Sequence, residues 1–464
     1  MRFLFLFLLW FFASCSESNV EVWTTTPDQS FLLTKISVSP SRSENAENEI
    51  RISVSEPFQS IEGFGFTLTG GSAELMMKLK KDVRASLLSE LFTLQHGGIG
   101  ISYLRLSMGA SDLSSWVFSY DDLPASQTDS TLEHFSLSDD TVYVIPLLKE
   151  ILALAPDLRI MASPWSPPVW MKDNQSSIGG QLLKRYYSSY AKYFVRYITA
   201  MKDEGITIDA VTIQNEPQHP GNNPSMLMSA AEQADFVGMH LGPAFKEAQL
   251  TTKIIIWDHN CDRPDFPLTV LADSVARSYI HGSAFHLYAG EISALSTVHD
   301  AFPEKQIYFT EQWTGSKGTF DGDLQWHVKN VLIGSLRNWS TTVLEWNLAN
   351  DPQFNPHTPG GCTECKGALA IDNSVIHRNV SYYIIAHASR FVPSGSVRVA
   401  SSTIPGVHSV AFMRPDKKWV CILLNESTSS KRVSLSVAHA QHTVVLSPGA
   451  VATVVGPAIS GEPK

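Results

Sequence analysis

From about residue 61 the chain repeats one pattern: a short apolar run, a few polar or turn-forming residues, then a longer segment with apolar positions three and four apart. Eight such runs stand out: IEGFGFTLT (61–69), ISYLRLSM (101–108), LRIMASPW (158–165), AVTIQNEP (210–217), TKIIIWDHN (252–260), SAFHLYA (283–289), QIYFTEQW (306–313) and TTVLEWNLA (341–349). Their length and apolar content predict buried strands. The segments 72–95, 181–203, 229–248 and 322–337, each bounded by capping or breaking residues, predict helices between them. Eight βα units within about 330 residues predict a (β/α)8 TIM barrel, an α/β architecture.

The pattern changes on both sides of this region. After about residue 393 the helical spacing stops, and VRVASS, HSVAFMRP, KWVCILLNE, KRVSLSV, HTVVLSP and GAVATVVG read as antiparallel strands. Upstream, residues 31–59 alternate like short exposed strands, whereas 16–30 look like a polar leader. The expected organisation is therefore a catalytic barrel over 60–392 with an accompanying β-sandwich domain built from 30–59 and 393–460.

Composition narrows the class. The chain has 464 residues, 44% hydrophobic and 17% charged, which is ample for a large core. Its net charge of −10 and the absence of a basic block argue against nucleic acid as a partner. The opening MRFLFLFLLWFFASC, with its apolar run from Phe3 to Phe12, reads as a secretion signal, too short to span a membrane. Its FASC ending resembles a lipoprotein processing site, which would make Cys15 a lipid anchor; ordinary cleavage nearby is the alternative. In an exported chain, GCTEC at 361–365 suits a short disulfide between Cys362 and Cys365. No second cysteine pair at matching spacing exists to complete a zinc site, so neither metal nor cofactor is expected.

In such a barrel the chemistry gathers at the C-terminal ends of the strands. Those ends are rich in polar and aromatic residues: Arg105 leading to Asp112, Trp165, Asn215 with Glu216, Trp257 to Asn260, His286 with Tyr288, Glu311 with Trp313, and Glu345 to Asn347. Two carboxylates share a context, IQNEP and YFTEQW, each one or two polar residues past an apolar strand. A pair of carboxylic acids facing one cleft is what glycosidic hydrolysis requires, and Trp faces stack on sugar rings. Glu345 competes, but it adjoins Trp346. Strand alternation sends the two to opposite sides, and Trp346 is assigned to the cleft.

The ordered set YLRLSMGASDLS, ASPWSPPVWMKDN, TIQNEP, AFHLY, YFTEQW and VLEWNLA resembles glycoside hydrolase family 30, the group that holds glucosylceramidases and β-1,6-glucanases. The resemblance runs from about residue 30 to the C-terminus and implies a barrel with a side β-domain and retaining hydrolysis of β-linked sugars. It implies Glu216 as acid/base and Glu311 as nucleophile. It further implies a sugar pocket containing Arg105, Asp112, Trp165, Asn215, His286, Tyr288, Trp313 and Trp346, with Asn215 bonding the sugar 2-hydroxyl. Leu287, where animal glucosylceramidases carry an aromatic, and the GCTEC loop look more like bacterial members similar to β-1,6-glucanases.

Retention demands carboxyl groups about 5 to 5.5 Å apart. Glu216 is expected to have a raised pKa, from burial and from the negative charge of Glu311. The substrate is expected to be a β-glucan, with glucosylceramide or another β-glucoside or β-xyloside as the alternative. Two rival classes stand beside the enzyme: a glycan-binding lipoprotein without activity, and metal-assisted hydrolysis by Asp258, His259 and Asp262. Alternation would point His259 away from Asp258, against the metal reading.

Overall fold

The computed structural model describes residues 20–37, 48–438 and 440–459. The stretch expected to be a secretion signal, with Cys15, lies outside the described residues. No helix among the described residues is long and apolar enough to cross a membrane.

Eight parallel strands close into a barrel: β1 (Gly63–Leu68), β2 (Tyr103–Ser107), β3 (Arg159–Ser163), β4 (Ala210–Thr212), β5 (Lys253–Cys261), β6 (Ile280–Gly290), β7 (Gln306–Glu311) and β8 (Ser340–Asn347). Neighbours pair in sequence order, and β8 closes on β1 through Thr342 opposite Gly63. Each predicted run forms its strand. The fourth is cut to three residues because Ile213 onward already leaves the sheet. The two faces of the strands differ as period-two burial requires. Phe64, Phe66 and Leu68 of β1 pack outward on the helices, whereas Tyr103, Met161, Ala210, Ile255, Ala284, Tyr308 and Leu344 fill the barrel interior as one apolar layer. At that level β1 contributes only Gly65, where an added Cβ would lie 1.9 Å from the carbonyl oxygen of Tyr103.

The connecting helices follow the predicted stripes. In Tyr187–Asp203 the buried positions Tyr190, Tyr193, Phe194, Tyr197, Ile198 and Met201 recur at helical spacing. The segment after β4 starts with a reciprocal cap between Ser229 and Glu232, then passes through a π-helical turn at Val237–Leu241. A second π-helical stretch, His327–Ile333, follows β7. It places the His327 ring 2.7 Å from Glu345.

Nine of the remaining strands make one sheet that folds around its own core of Val22, Ile50, Ile52, Trp419, Val433, Leu435 and Val454, giving the β-sandwich. One feature departs from the expected leader over 16–30: Glu21–Thr25 is a strand, pairing with Val451–Ala458. Its Val22, Thr24 and Thr25 are buried, an alternation too short to stand out beside polar neighbours. The sandwich docks on the helix Val380–Ser389, where buried His387 bridges the hydroxyls of Thr25 and Thr453, each at 2.9 Å.

Candidate active site

Two residues beyond the apolar layer, the same inward-facing positions turn polar. Tyr103 is followed by Arg105, Met161 by Ser163, Ala210 by Thr212, Ala284 by His286 and Tyr308 by Thr310. This second layer is wired around Arg105, which is fully buried. Its guanidinium donates to Glu311 Oε2 at 2.5 Å, Asn215 Oδ1 at 2.7 Å, Asp258 Oδ2 at 2.9 Å and Ser163 Oγ at 3.1 Å. The faces of Trp165 and Trp346 lie 4.8 and 5.8 Å from its central carbon. A fixed cation held between two carboxylates is stable here because its donors are satisfied by oriented acceptors.

Asp258 is the counterweight. Thr212 and Thr310 each donate to it at 2.7 Å, and His286 Nε2 lies 3.1 Å away. Burial would raise its carboxyl, but the Arg105 charge and the His286 and Thr310 hydrogen bonds overcome this and hold it well below the usual range. Sequence reasoning weighed Asp258 only as a metal ligand and misplaced its neighbour. Trp257 and Asp258 both adopt positive φ, 72° and 65°, and the β5–β6 register shifts there. That irregularity breaks the alternation. Asp258 turns into the barrel, and His259 still faces the same site, its Nε2 3.8 Å from Glu216 Oε1. Burial brings His259 down to about 4, so it is a neutral ring.

Above this layer sit the two glutamates. Glu311, at a register shift on β7, also accepts from the Tyr288 hydroxyl at 2.9 Å, so both of its oxygens carry donors. Glu216 follows the short β4 in a left-handed conformation, φ 45°, pinned by its own N–H donating to the Asp258 carbonyl at 3.0 Å. His286 Nδ1 lies 3.3 Å from Glu216 and 3.9 Å from Glu311. A carboxylate oxygen of each glutamate and a His286 nitrogen all lie within 4.8 Å of one another. These three offer a metal-sized donor set, but Arg105 and Tyr288 already engage Glu311, and Asp258 engages His286, a pattern suited to moving protons.

The protonation pattern differs from expectation. Burial raises Glu216, but the hydrogen bond and charge of His286 reverse that and bring it below the usual carboxylate range. Glu311 is raised, first by burial and then by the Glu216 and Asp258 charges, against the pull of His286 and Arg105. His286 itself is pushed up to about 9: its burial opposes protonation, but Glu311, Asp258 and Glu216 together overcome it. A histidine read as a sugar contact is thus an imidazolium lodged beneath the carboxylates.

The cavity over the pair measures about 340 Å³ and is lined by Asp112, Trp165, Glu216, Tyr288, Glu311, Trp313 and Trp346, with His219, Asn222, His259, Asn260, Cys362 and Cys365 completing the wall. Arg105, Asn215 and His286 were expected on this wall. They lie behind it, because the barrel interior at their level is already filled by their mutual bonds. Asn215 Oδ1 is taken by Arg105, which leaves its amide N–H groups as the free donors. Asp112 is buried, its Oδ2 held by the Cys362 N–H at 3.3 Å and its Oδ1 without a protein donor. Burial, then the Glu311 charge, raises Asp112 to about 7. Cys362 and Cys365 form a disulfide packed against Leu113, Trp165 and Trp346, so the GCTEC loop is part of the cavity wall. Glu345 faces outward to His327, as alternation required.

Residues 61–392 match the glycosyl hydrolase family 30 TIM-barrel domain, and residues 395–454 match the β-sandwich domain of the same family. The chain is 37% identical to an endo-1,6-β-D-glucanase of Neurospora crassa, over 73% of this chain and 72% of that protein. It is 29% identical to the lysosomal acid glucosylceramidase of Mus musculus, over 84% of this chain and 80% of the other. Among solved structures, the endo-β1,6-glucanase BT3312 superposes with a TM-score of 0.89 at 35% identity, covering 95% of this chain and 100% of its own.

Proposed function

The chain belongs to glycosyl hydrolase family 30 and is an O-glycosyl hydrolase of retaining type, and from that premise we propose that it is an exported endo-β-1,6-glucanase. The observation that carries the reading is the approach of the Glu216 and Glu311 oxygens to within 4.8 Å of each other on the floor of a Trp-lined cavity. That spacing suits a double displacement, whereas an inverting site needs about 6.5 to 9.5 Å between its carboxyls to admit a water. The names of the 37% and 35% identical relatives favour β-1,6-glucan over the glucosylceramide of the 29% identical one.

In this reading Glu311 attacks the anomeric carbon while Glu216 gives a proton to the departing oxygen. Arg105 and Tyr288 aim Glu311 and hold it as the anion. The proton on Glu216 comes from the imidazolium: in the ligand-free site it rests on His286 Nδ1, facing Glu216. A sugar entering the cavity expels water, and a drier site favours the neutral pair, carboxylic acid and imidazole, over the ionic one. Once Glu311 is esterified its charge is gone, and Glu216 can take a proton from the incoming water. Asp112 Oδ1 and the Trp165 and Trp346 rings are the polar and stacking contacts for the sugar between them.

The test is product analysis on a linear β-1,6-glucan beside glucosylceramide. Shortened oligosaccharides released first as the β-anomer support the proposal. Cleavage of glucosylceramide alone, or an α-anomer first, overturns it.

A further inference from the structure

The stretch between β2 and the helix Val144–Leu154 contains no strand or helix, yet it carries Asp112 into the cavity wall. Ordering so long a connection costs conformational entropy, and something must hold it. Near its middle, Asp121 is 1% exposed. Neither of its carboxylate oxygens accepts a hydrogen bond. Its backbone is fixed in place: its carbonyl accepts from Trp170 Nε1 at 2.9 Å, and the preceding N–H, on Tyr120, donates to the Tyr193 hydroxyl at 3.0 Å. Asp121 points at a second buried carboxylate, Asp129, which accepts the Thr131 hydroxyl at 3.1 Å and the His134 N–H at 2.8 Å. The His134 ring stands over Asp129 with Nδ1 at 2.9 Å. Donor atoms of all three residues lie within 4.8 Å of one another. The charge of Arg196 acts on Asp121, but its guanidinium donates to the Thr131 carbonyl at 3.2 Å and not to Asp121.

A buried carboxylate without a donor is costly, and one aimed at another carboxylate is more so. We propose that Asp121, Asp129 and His134 bind one divalent cation, which clips the loop after β2. Two carboxylate oxygens and one imidazole nitrogen favour Zn²⁺ or Mn²⁺ over Ca²⁺, which prefers an all-oxygen shell. Around an ion with bonds of about 2.0 to 2.2 Å, tetrahedral donors stand about 3.4 Å apart, so separations of up to 4.8 Å close on the ion and the 2.9 Å contact of Asp129 with His134 opens to admit it. His134, on the exposed side, is the entry point and completes the site by turning Nδ1 onto the metal.

The test uses the full chain stripped with a chelator and titrated with ZnCl2, MnCl2 or CaCl2, read by bound-metal analysis and thermal melting. The unaltered protein is expected to retain one equivalent of Zn²⁺ or Mn²⁺ more than Asp121→Asn does, and to melt higher with it. Because the comparison is between the two proteins, metal bound at the Glu216–Glu311 pair cancels. In chelator Asp121→Asn should melt no lower than the parent, since the amide removes an unpaired buried charge; this keeps a folding defect distinguishable from a lost site. His134→Gln should weaken Zn²⁺ binding about tenfold or more while leaving Ca²⁺ unchanged. Equal metal content and equal melting shifts in parent and Asp121→Asn, up to about 1 mM metal, would overturn the site. Ca²⁺ binding as tightly as Zn²⁺ would overturn the ligand set.

Discussion

The barrel interior has two levels that differ by a step of two residues along the same strands. The lower one, from Tyr103 to Leu344, is apolar and adds side-chain packing to the hydrogen-bonded ring of strands. The upper one, from Arg105 to Thr310, is a buried web of charge in which each group is held by another. The difference shows where stability and reactivity reside: the lower layer makes a rigid ring, and the upper layer uses that rigidity to keep costly charges in place.

Substitutions that act on one level and spare the other separate these roles. Glu311→Gln removes the attacking group and should lower turnover by more than about 10⁴-fold, measured by initial rates on β-1,6-glucan, and should lower the melting temperature as well, because buried Arg105 loses one of its two carboxylates. Glu216→Gln should cost about 10² to 10⁴ on the same substrate and much less on an aryl glucoside whose leaving group needs no proton. Asp258→Asn strips Arg105 and His286 of their shared counter-charge. It should lose about 3 to 5 kcal/mol of stability as well as activity, seen by denaturant unfolding. In the lower layer, Leu344→Ala should cost about 2 to 5 kcal/mol of stability while the enzyme that remains folded keeps its turnover.

His286→Gln gives the smallest effect and the most specific one. The imidazolium favours the charged form of both glutamates and stores the proton that Glu216 delivers. The acid limb, where Glu311 must lose its proton, should move upward in a kcat/KM profile, and the basic limb should move downward, because the proton that His286 keeps available up to about 9 must then be held by Glu216 alone. A fall in rate with unmoved limbs would reduce His286 to a packing residue.

The barrel and its rim were legible because period and strand-end chemistry are local properties. IQNEP and YFTEQW announce themselves by interrupting apolar runs, and VLEWN yields its orientation from alternation alone. What failed was whatever depended on the third dimension. His259 was sent to the wrong face because a positive φ at Trp257 and Asp258 is invisible in a sequence that reads as a regular strand. His286 looked like a sugar contact because nothing in AFHLY says that Asp258 and Glu216 close over it. The lowered Glu216 has the same origin: a burial argument without the imidazolium gives the opposite sign. The strand Glu21–Thr25 was lost because its partner lies at the far end of the chain.

The central claim is that Glu311 forms an ester with the sugar while Glu216 manages the proton. Incubation with an activated 2-deoxy-2-fluoro-β-glucoside, which forms such an ester readily and hydrolyses it slowly, tests this by peptide mass analysis. The account predicts one fluoroglucosyl group on the peptide carrying Glu311, and none in Glu311→Gln. A label on any other carboxylate, or turnover with no trapped ester, would contradict it.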